Sequence, residues 1–300
     1  MTAPAADFEL TTASPHTTAA VATVLTTTVL ALREQLERAR RAGQRVGLVP
    51  TMGALHEGHL SLVKRARAEC DLVVVSIFVN PSQFGPHEDF SKYPRALEND
   101  LSLLRGLAEI VFAPAGDEVY RPDHATWVEV GEIADVLEGT YRPGHFRGVV
   151  TIVLKLFNMV QPAMAYFGQK DFQQALVIRR MAADLNVPVM IQVCPIVREA
   201  DGLAMSSRNR YLSADGRRRA LVLSRSLETA KGLAAKGERK ASAIATAIRG
   251  TIETAEDARI DYIALVDPQT LQPIETLSAP TLVALAVTID NTRLIDNCLL

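Results

Sequence analysis

Two histidines, His56 and His59, stand three residues apart in the run Pro50-Thr51-Met52-Gly53-Ala54-Leu55-His56-Glu57-Gly58-His59. The run reads as a turn from a strand into a helix. Free backbone N–H groups at a helix start favour phosphate oxygens. Two imidazoles there can donate hydrogen bonds to phosphoryl oxygens as negative charge shifts during attack. If His59 begins the helix, both rings point at the carboxyl end of the sheet, the edge where open α/β folds bind ligands. Gly53 and Gly58 let the backbone come close to a nucleotide. The plain alternative is a pair of surface histidines. Metal ligation is disfavoured, because His-Glu-Gly-His is one residue short of HExxH, and no metal ligand is assigned. No GxxxxGK(S/T) or GxGxxG phosphate loop is present.

Three further segments carry polar groups suited to the same chemistry. Phe78-Val79-Asn80-Pro81-Ser82-Gln83-Phe84 places Asn80 and Gln83 where neutral donors and acceptors recognise hydroxyls and carboxylates. Its alternative reading is a polar Asn-Pro turn. Gly168-Gln169-Lys170-Asp171 opens a helix that also carries Gln174. Lys170 suits a phosphate, and Asp171 suits either a helix cap or ribose hydroxyls. Met205-Ser206-Ser207-Arg208-Asn209 joins two hydroxyls to a guanidinium, a phosphate-binding set, with an interdomain linker as its plain alternative. Tyr141-Arg142-Pro143-Gly144-His145 adds basic groups that topology directs to the same crevice.

Alternating strands and helices must position these segments. Strands are expected over 45–50, 71–79, 109–114, 163–167 and 187–193, with helices over 59–69, 95–107, 148–160 and 172–185. The β-branched run Leu72–Val79 suits a parallel strand covered on both faces. This alternation argues for an open sheet with helices on both faces. After Pro195 the texture changes to two alanine-rich helices, 213–235 and 240–255, and two strands, 260–266 and 281–289. A short apolar stretch from Val21 leads into a surface helix ending near Ala42-Gly43, and residues 1 to about 20 read as a loose tail.

The composition narrows the function classes. A chain of 300 residues, 48 % hydrophobic and 22 % charged, suits a globular protein with a substantial core and about two domains. A net charge of −2 argues against a broad nucleic-acid surface. No window reaches the roughly 20 apolar residues of a spanning helix, so no membrane partner is expected. The three cysteines lie far apart without metal spacing, and a reducing cytoplasm is the expected location.

Taken in order, the four segments make the chain resemble the pantoate–β-alanine ligase family of the HIGH-motif nucleotidyltransferases. The likeness is close over about 45–212 and looser through Asp261-Tyr262 and Thr292-Arg293-Leu294-Ile295-Asp296-Asn297. It implies an α/β fold: a Rossmann-like parallel-sheet domain with helices on both faces, then a smaller C-terminal α/β domain. The expected divisions are a tail over 1–24, an ATP- and pantoate-binding domain over 25–196, and a lid-like domain over 197–300. The implied reaction uses ATP with Mg²⁺ to adenylate pantoate, then joins the acyl group to β-alanine, in a homodimer. By matching position, His56 and His59 bind phosphate and stabilise the transferring group. Met52, Gly53, Gly168, Asp171 and Met205 contact the nucleotide. Lys170 binds phosphate, and Ser206, Ser207 and Arg208 resemble the KMSKS loop. Asn80, Gln83, Arg142, His145 and Gln174 line the pantoate side. Ser82 and Gln169 depart from the family's usual Met and Glu, and Ser82 is expected to loosen packing near the substrate. A cytidylyltransferase-like enzyme and a non-catalytic nucleotide-binding protein are the competing readings.

Overall fold

The computed structural model describes residues 22–86 and 88–300. The tail expected over residues 1 to about 20 lies outside the described residues, and Val24, placed in the 1–24 tail, already opens a strand. Six parallel strands form one sheet: β1 (Val24–Thr26), β2 (Val46–Thr51), β3 (Leu72–Ile77), β4 (Ile110–Phe112), β5 (Met164–Gly168) and β6 (Met190–Cys194), in the order β1-β4-β3-β2-β5-β6. Strands β2 and β3 are almost wholly buried and pair in register from Val46↔Leu72 to Thr51↔Ile77. Their unbroken apolar runs follow from having helices on both faces.

The helices of this unit are α1 (Val29–Arg41), α2 (Glu57–Glu69), α3 (Leu97–Leu104), the short α4 (Gly116–Val119) and α5 (Glu138–Tyr141), α6 (His145–Val160) and α7 (Phe172–Asp184). One core packs α1, α6 and α7 on one sheet face, and a second packs α2 and α3 on the other. Helix α1 starts where Thr28 accepts the Ala31 N–H at 3.2 Å and ends in Arg38, Arg40 and Arg41, which suit the negative end of the helix dipole.

Beyond β6 the chain builds α8 (Ala214–Ala220), α9 (Val222–Ala235), α10 (Ala241–Ile252) and an antiparallel sheet of β7 (Arg259–Val266), β8 (Leu282–Ile289) and β9 (Thr292–Leu299). A separate core joins these helices to that sheet. The structure is therefore a Rossmann-like parallel-sheet domain with a smaller β-rich C-terminal domain. Two strands escape the sequence reading. Strand β1 has only three residues at the sheet edge, and β9 carries buried Asp296 and Asn297 in an otherwise apolar alternation. The helix expected over 213–235 is divided at Leu221. All three cysteines are free and buried. Among the described residues, no helix is long and apolar enough to cross a membrane.

Candidate active site

The carboxyl ends of β2, β3, β5 and β6 open onto one cavity of about 220 Å³. It lies beside the reversal of strand order between β2 and β5, where open parallel sheets expose a ligand-binding crevice. An adjoining cavity of about 360 Å³ shares Arg142, Lys170, Asp171, Ser206 and Arg208 with it. All four segments reach the first cavity. Met52, His56 and His59 come from the first, and Asn80 and Gln83 from the second. Gly168, Lys170, Asp171 and Gln174 come from the third, and Met205, Ser206, Ser207 and Arg208 from the fourth. Arg142 and His145 line it as well.

Helix α2 begins at Glu57, two residues before His59. His56 caps it: its backbone is extended, and its Nδ1 accepts the Gly58 N–H at 3.1 Å. An imidazole thus replaces the usual Ser, Thr, Asp or Asn cap. A neutral ring bonded in this way carries its proton on Nε2. A Cβ at position 58 would lie 2.8 Å from this ring, so glycine is what lets the imidazole fold over the helix start. The two imidazole centroids are 4.1 Å apart. Burial, reinforced by Lys170, lowers the His56 pKa, and burial with the neighbouring His56 and Lys170 pushes His59 down to about 3. Both rings are neutral at neutral pH. The His59 Nδ1 is buried without a hydrogen-bond partner among the described residues.

Gly53 is the one residue of the sequence reading that does not line the cavity. Its φ of 81° and the φ of 52° at Ala54 make a left-handed pair in the loop that turns β2 toward His56. The fully buried Asp100 of α3 holds that pair, accepting the Ala54 N–H at 2.9 Å and the Leu55 N–H at 2.8 Å. Burial raises the Asp100 pKa, against the lowering effect of these two bonds.

Asn80 lines the cavity with its polar atoms already engaged. Its Nδ2 donates to Gln83 Oε1 at 3.0 Å and to the Gly148 carbonyl at 3.1 Å, and its Oδ1 accepts from Ser82 Oγ at 2.9 Å and Tyr120 OH at 3.0 Å. The Gln83 amide nitrogen donates to Met52 Sδ at 3.2 Å. His145 bonds through Nδ1 to the Gln83 carbonyl at 2.9 Å and through Nε2 to Arg142 at 3.0 Å. Burial and the Arg142 charge push His145 down to about 4. Phe78, Val149, Ile152 and Val153 add apolar surface to the same lining.

On the third segment, Asp171 occupies the N-cap position of α7 but makes no capping bond, and its carboxylate lies 3.8 Å from Lys170 Nζ. The capping alternative for Asp171 is therefore not realised. On the fourth, Ser206 Oγ accepts the Arg208 N–H at 3.3 Å and Ser207 Oγ lies 3.2 Å from the Tyr93 hydroxyl. Arg208 makes two bonds to Asp89, at 2.9 and 3.1 Å, and Arg142 makes two to Glu88, at 2.6 and 2.9 Å. Against the upward push of burial, these guanidinium groups hold both carboxyls below their usual range.

Glu88, Asp89, Tyr93 and Asp100 were missed by sequence reasoning. Asp100 alone left a signal: it falls on the same helical face as buried Leu104, where an unpaired acid is out of place. The carboxylates at 88 and 89 lie in a polar loop and carry no such mark.

The profile of the family described as Pantoate-beta-alanine ligase matches residues 24–299. The chain belongs to the pantoate–β-alanine ligase family. A pantothenate synthetase of Moorella thermoacetica is 54 % identical over 274 residues, 91 % of this chain and 97 % of that protein. One from Roseiflexus castenholzii is 57 % identical over 266 residues, 88 % of this chain and 96 % of the relative. The solved pantothenate synthetase of Thermus thermophilus superposes with a TM-score of 0.88 at 46 % identity, covering 91 % of this chain and 98 % of the other. A pantoate-beta-alanine ligase from Francisella tularensis, complexed with beta-gamma ATP and beta-alanine, gives 0.73 at 34 % identity, covering 93 % and 98 %.

For a pantoate–β-alanine ligase, the two departures at 82 and 169 are accommodated by hydrogen bonds. The Ser82 hydroxyl joins Asn80 and Tyr120, the latter at 3.0 Å, so the expected loosening is replaced by a polar tie. Gln169 donates to Asn297 of β9 at 3.2 Å.

Proposed function

We infer that the chain condenses pantoate with β-alanine at the expense of ATP, releasing AMP and pyrophosphate through a pantoyl adenylate. The observation that carries this reading is one cavity shared by a neutral histidine pair at a helix start, a lysine, two glutamines and a set of apolar side chains. Pantoate has a carboxylate, two hydroxyls and two geminal methyl groups. Gln83 and Gln174 offer amide groups to the polar end, and Val149, Ile152 and Val153 offer surface to the methyls.

In this reading a pantoate carboxylate oxygen attacks the α-phosphorus of ATP, and the bond to pyrophosphate breaks. Adenylation gives the carboxyl a leaving group that it otherwise lacks. The neutral β-alanine amine then attacks the acyl carbon, AMP departs with the bonding electrons, and the amine nitrogen gives up one proton to solvent. Neutral His56 donates from Nε2 to phosphoryl oxygens, with His59 beside it. Neutral donors stabilise developing charge without having to lose a proton. Lys170 and Arg208 meet phosphate oxygens, while Asp171 and the Gly168 backbone meet ribose. Met52 and Met205 border the nucleotide, and Ser206 and Ser207 close against its phosphates. Arg142 and His145 act on the pantoate side. Asn80 serves by orienting Gln83.

The described residues contain no group of three or more His, Cys, Asp or Glu side chains placed to hold a metal. Mg²⁺ would be carried by the triphosphate oxygens, its usual mode with nucleotides, and would neutralise phosphate charge there. The C-terminal unit from about residue 197 serves as a lid over the nucleotide. The assembly is a homodimer, as the family resemblance implies. Incubation with ATP, pantoate and β-alanine tests the activity: AMP and pantothenate should appear in equal amounts only when all three are present. AMP release independent of pantoate contradicts it.

A further inference from the structure

Two adjacent side chains of β9 grip segments that lead to the catalytic cavity without lining that cavity themselves. Asn297 is buried. Its Nδ2 donates to the Gln169 carbonyl at 2.9 Å and to the Lys170 carbonyl at 3.0 Å, while its Oδ1 accepts from Gln169 Nε2 at 3.2 Å. Next to it, buried Asp296 takes both terminal nitrogens of Arg198, at 2.7 and 2.9 Å, and Arg198 donates to the Gly202 carbonyl at 3.1 Å. One dipeptide thus holds the Lys170 turn and the segment leading to Ser206.

We propose that Asn297, oriented by Gln169, is a positioning residue for ATP: it fixes the backbone on both sides of Lys170 and so aims the lysine at the phosphates. The inference rests on reading Lys170 as a phosphate ligand. A single amide bonded to consecutive carbonyls sets two peptide planes at once, and those planes set the direction of the Lys170 side chain. The turn Gln169–Asp171 has no side-chain cap of its own, so β9 supplies the restraint that Asp171 does not. The amide at position 169 also reinforces the way Asn297 faces. Its N–H needs an oxygen, so Asn297 turns its oxygen to Gln169 and its NH₂ to the carbonyls. The reverse orientation would set an oxygen against two carbonyl oxygens. A carboxylate at 169 would remove the donor that reinforces this choice.

The test compares the full-length parent with Asn297→Ala and Gln169→Ala. Gln169 is half-buried on a surface turn outside the hydrophobic cores, so its loss does not threaten folding. Calorimetric titration measures ATP affinity, and steady-state kinetics measure KM for ATP and for β-alanine. Asn297→Ala should weaken ATP binding and raise the ATP KM by about 10-fold or more, with the β-alanine KM within about two-fold. Gln169→Ala should move ATP in the same direction by about three-fold. Unchanged ATP affinity in folded variants overturns the proposal, as does an equal rise in both KM values, which would signify general loosening. Should Asn297→Ala fail to fold, Gln169→Ala decides by the same readouts. A parent that binds ATP but forms no pantothenate defeats the ligase reading instead, and the titrations still decide the role of Asn297.

Discussion

Replacing Asp100 with Asn removes one acceptor from a buried carboxylate that holds two consecutive N–H groups just before His56. Asparagine can accept from one of them, and its NH₂ then faces the other, leaving a buried donor unsatisfied. Hydrogen bonds to a charged group contribute about 1.5–3 kcal/mol, and an unsatisfied buried donor costs about 1–3 kcal/mol. The loop it holds already contains a left-handed non-glycine residue, Ala54, a conformation that costs about 1–2 kcal/mol. The substitution therefore favours relaxation of the loop by about 2–4 kcal/mol, and Met52 and His56 move with it. If adenylation requires the observed loop, kcat/KM falls by about 30- to 900-fold. Pantoate-dependent exchange of labelled pyrophosphate into ATP measures this step without β-alanine. Thermal melting by circular dichroism reports the folded fraction. An Asp100→Asn protein that is folded, yet exchanges within about three-fold of the parent, refutes the reasoning.

His59→Ala should reduce pyrophosphate exchange by about 100-fold or more, as expected for an essential transition-state donor, and an unchanged rate would contradict that role. Because both histidines are held neutral, exchange should show no inflection near 6.5, whereas overall turnover should rise above neutrality as the β-alanine amine loses its proton; a histidine-like step in the exchange profile would count against the account. Lys170→Gln should raise the ATP KM by about 10- to 100-fold, and an effect confined to the β-alanine KM would place the lysine elsewhere. His145 titrates at about 4 in the fold against 6.5 for a free histidine, so the unfolded chain takes up the proton first as pH falls. The associated stability is present above about 6.5 and is lost as pH falls toward about 4, with about 2 kcal/mol gone at pH 5. Urea unfolding at pH 7 and pH 5 should show a smaller loss in His145→Gln than in the parent; equal losses would remove His145 as the cause.

The parts of the site legible in sequence were those whose chemistry and chain position coincide. Met52, His56, Asn80, Gln83, Lys170 and Asp171 each follow a strand end within a few residues, and strand ends are readable from apolar runs such as Leu72–Ile77. The groups that hold them were hidden because they act across long separations on backbone atoms. Asp100 bonds N–H groups 45 and 46 residues earlier, and Asn297 bonds carbonyls 127 and 128 residues earlier. Periodicity carries no information about such contacts. The start of α2 was misplaced for a related reason: His56 caps through a ring nitrogen, which the usual cap residues do not predict. Strand β9 was obscured by the polarity that lets Asp296 hold Arg198 and Asn297 reach the other domain.

Transfer of an oxygen atom tests the adenylate most directly. Pantoate labelled with ¹⁸O in its carboxyl group is turned over with ATP and β-alanine, and the AMP is weighed by mass spectrometry. Attack of the carboxylate on the α-phosphorus places one labelled oxygen in each AMP formed. Unlabelled AMP, with the departing ¹⁸O in inorganic phosphate or in water, would contradict it.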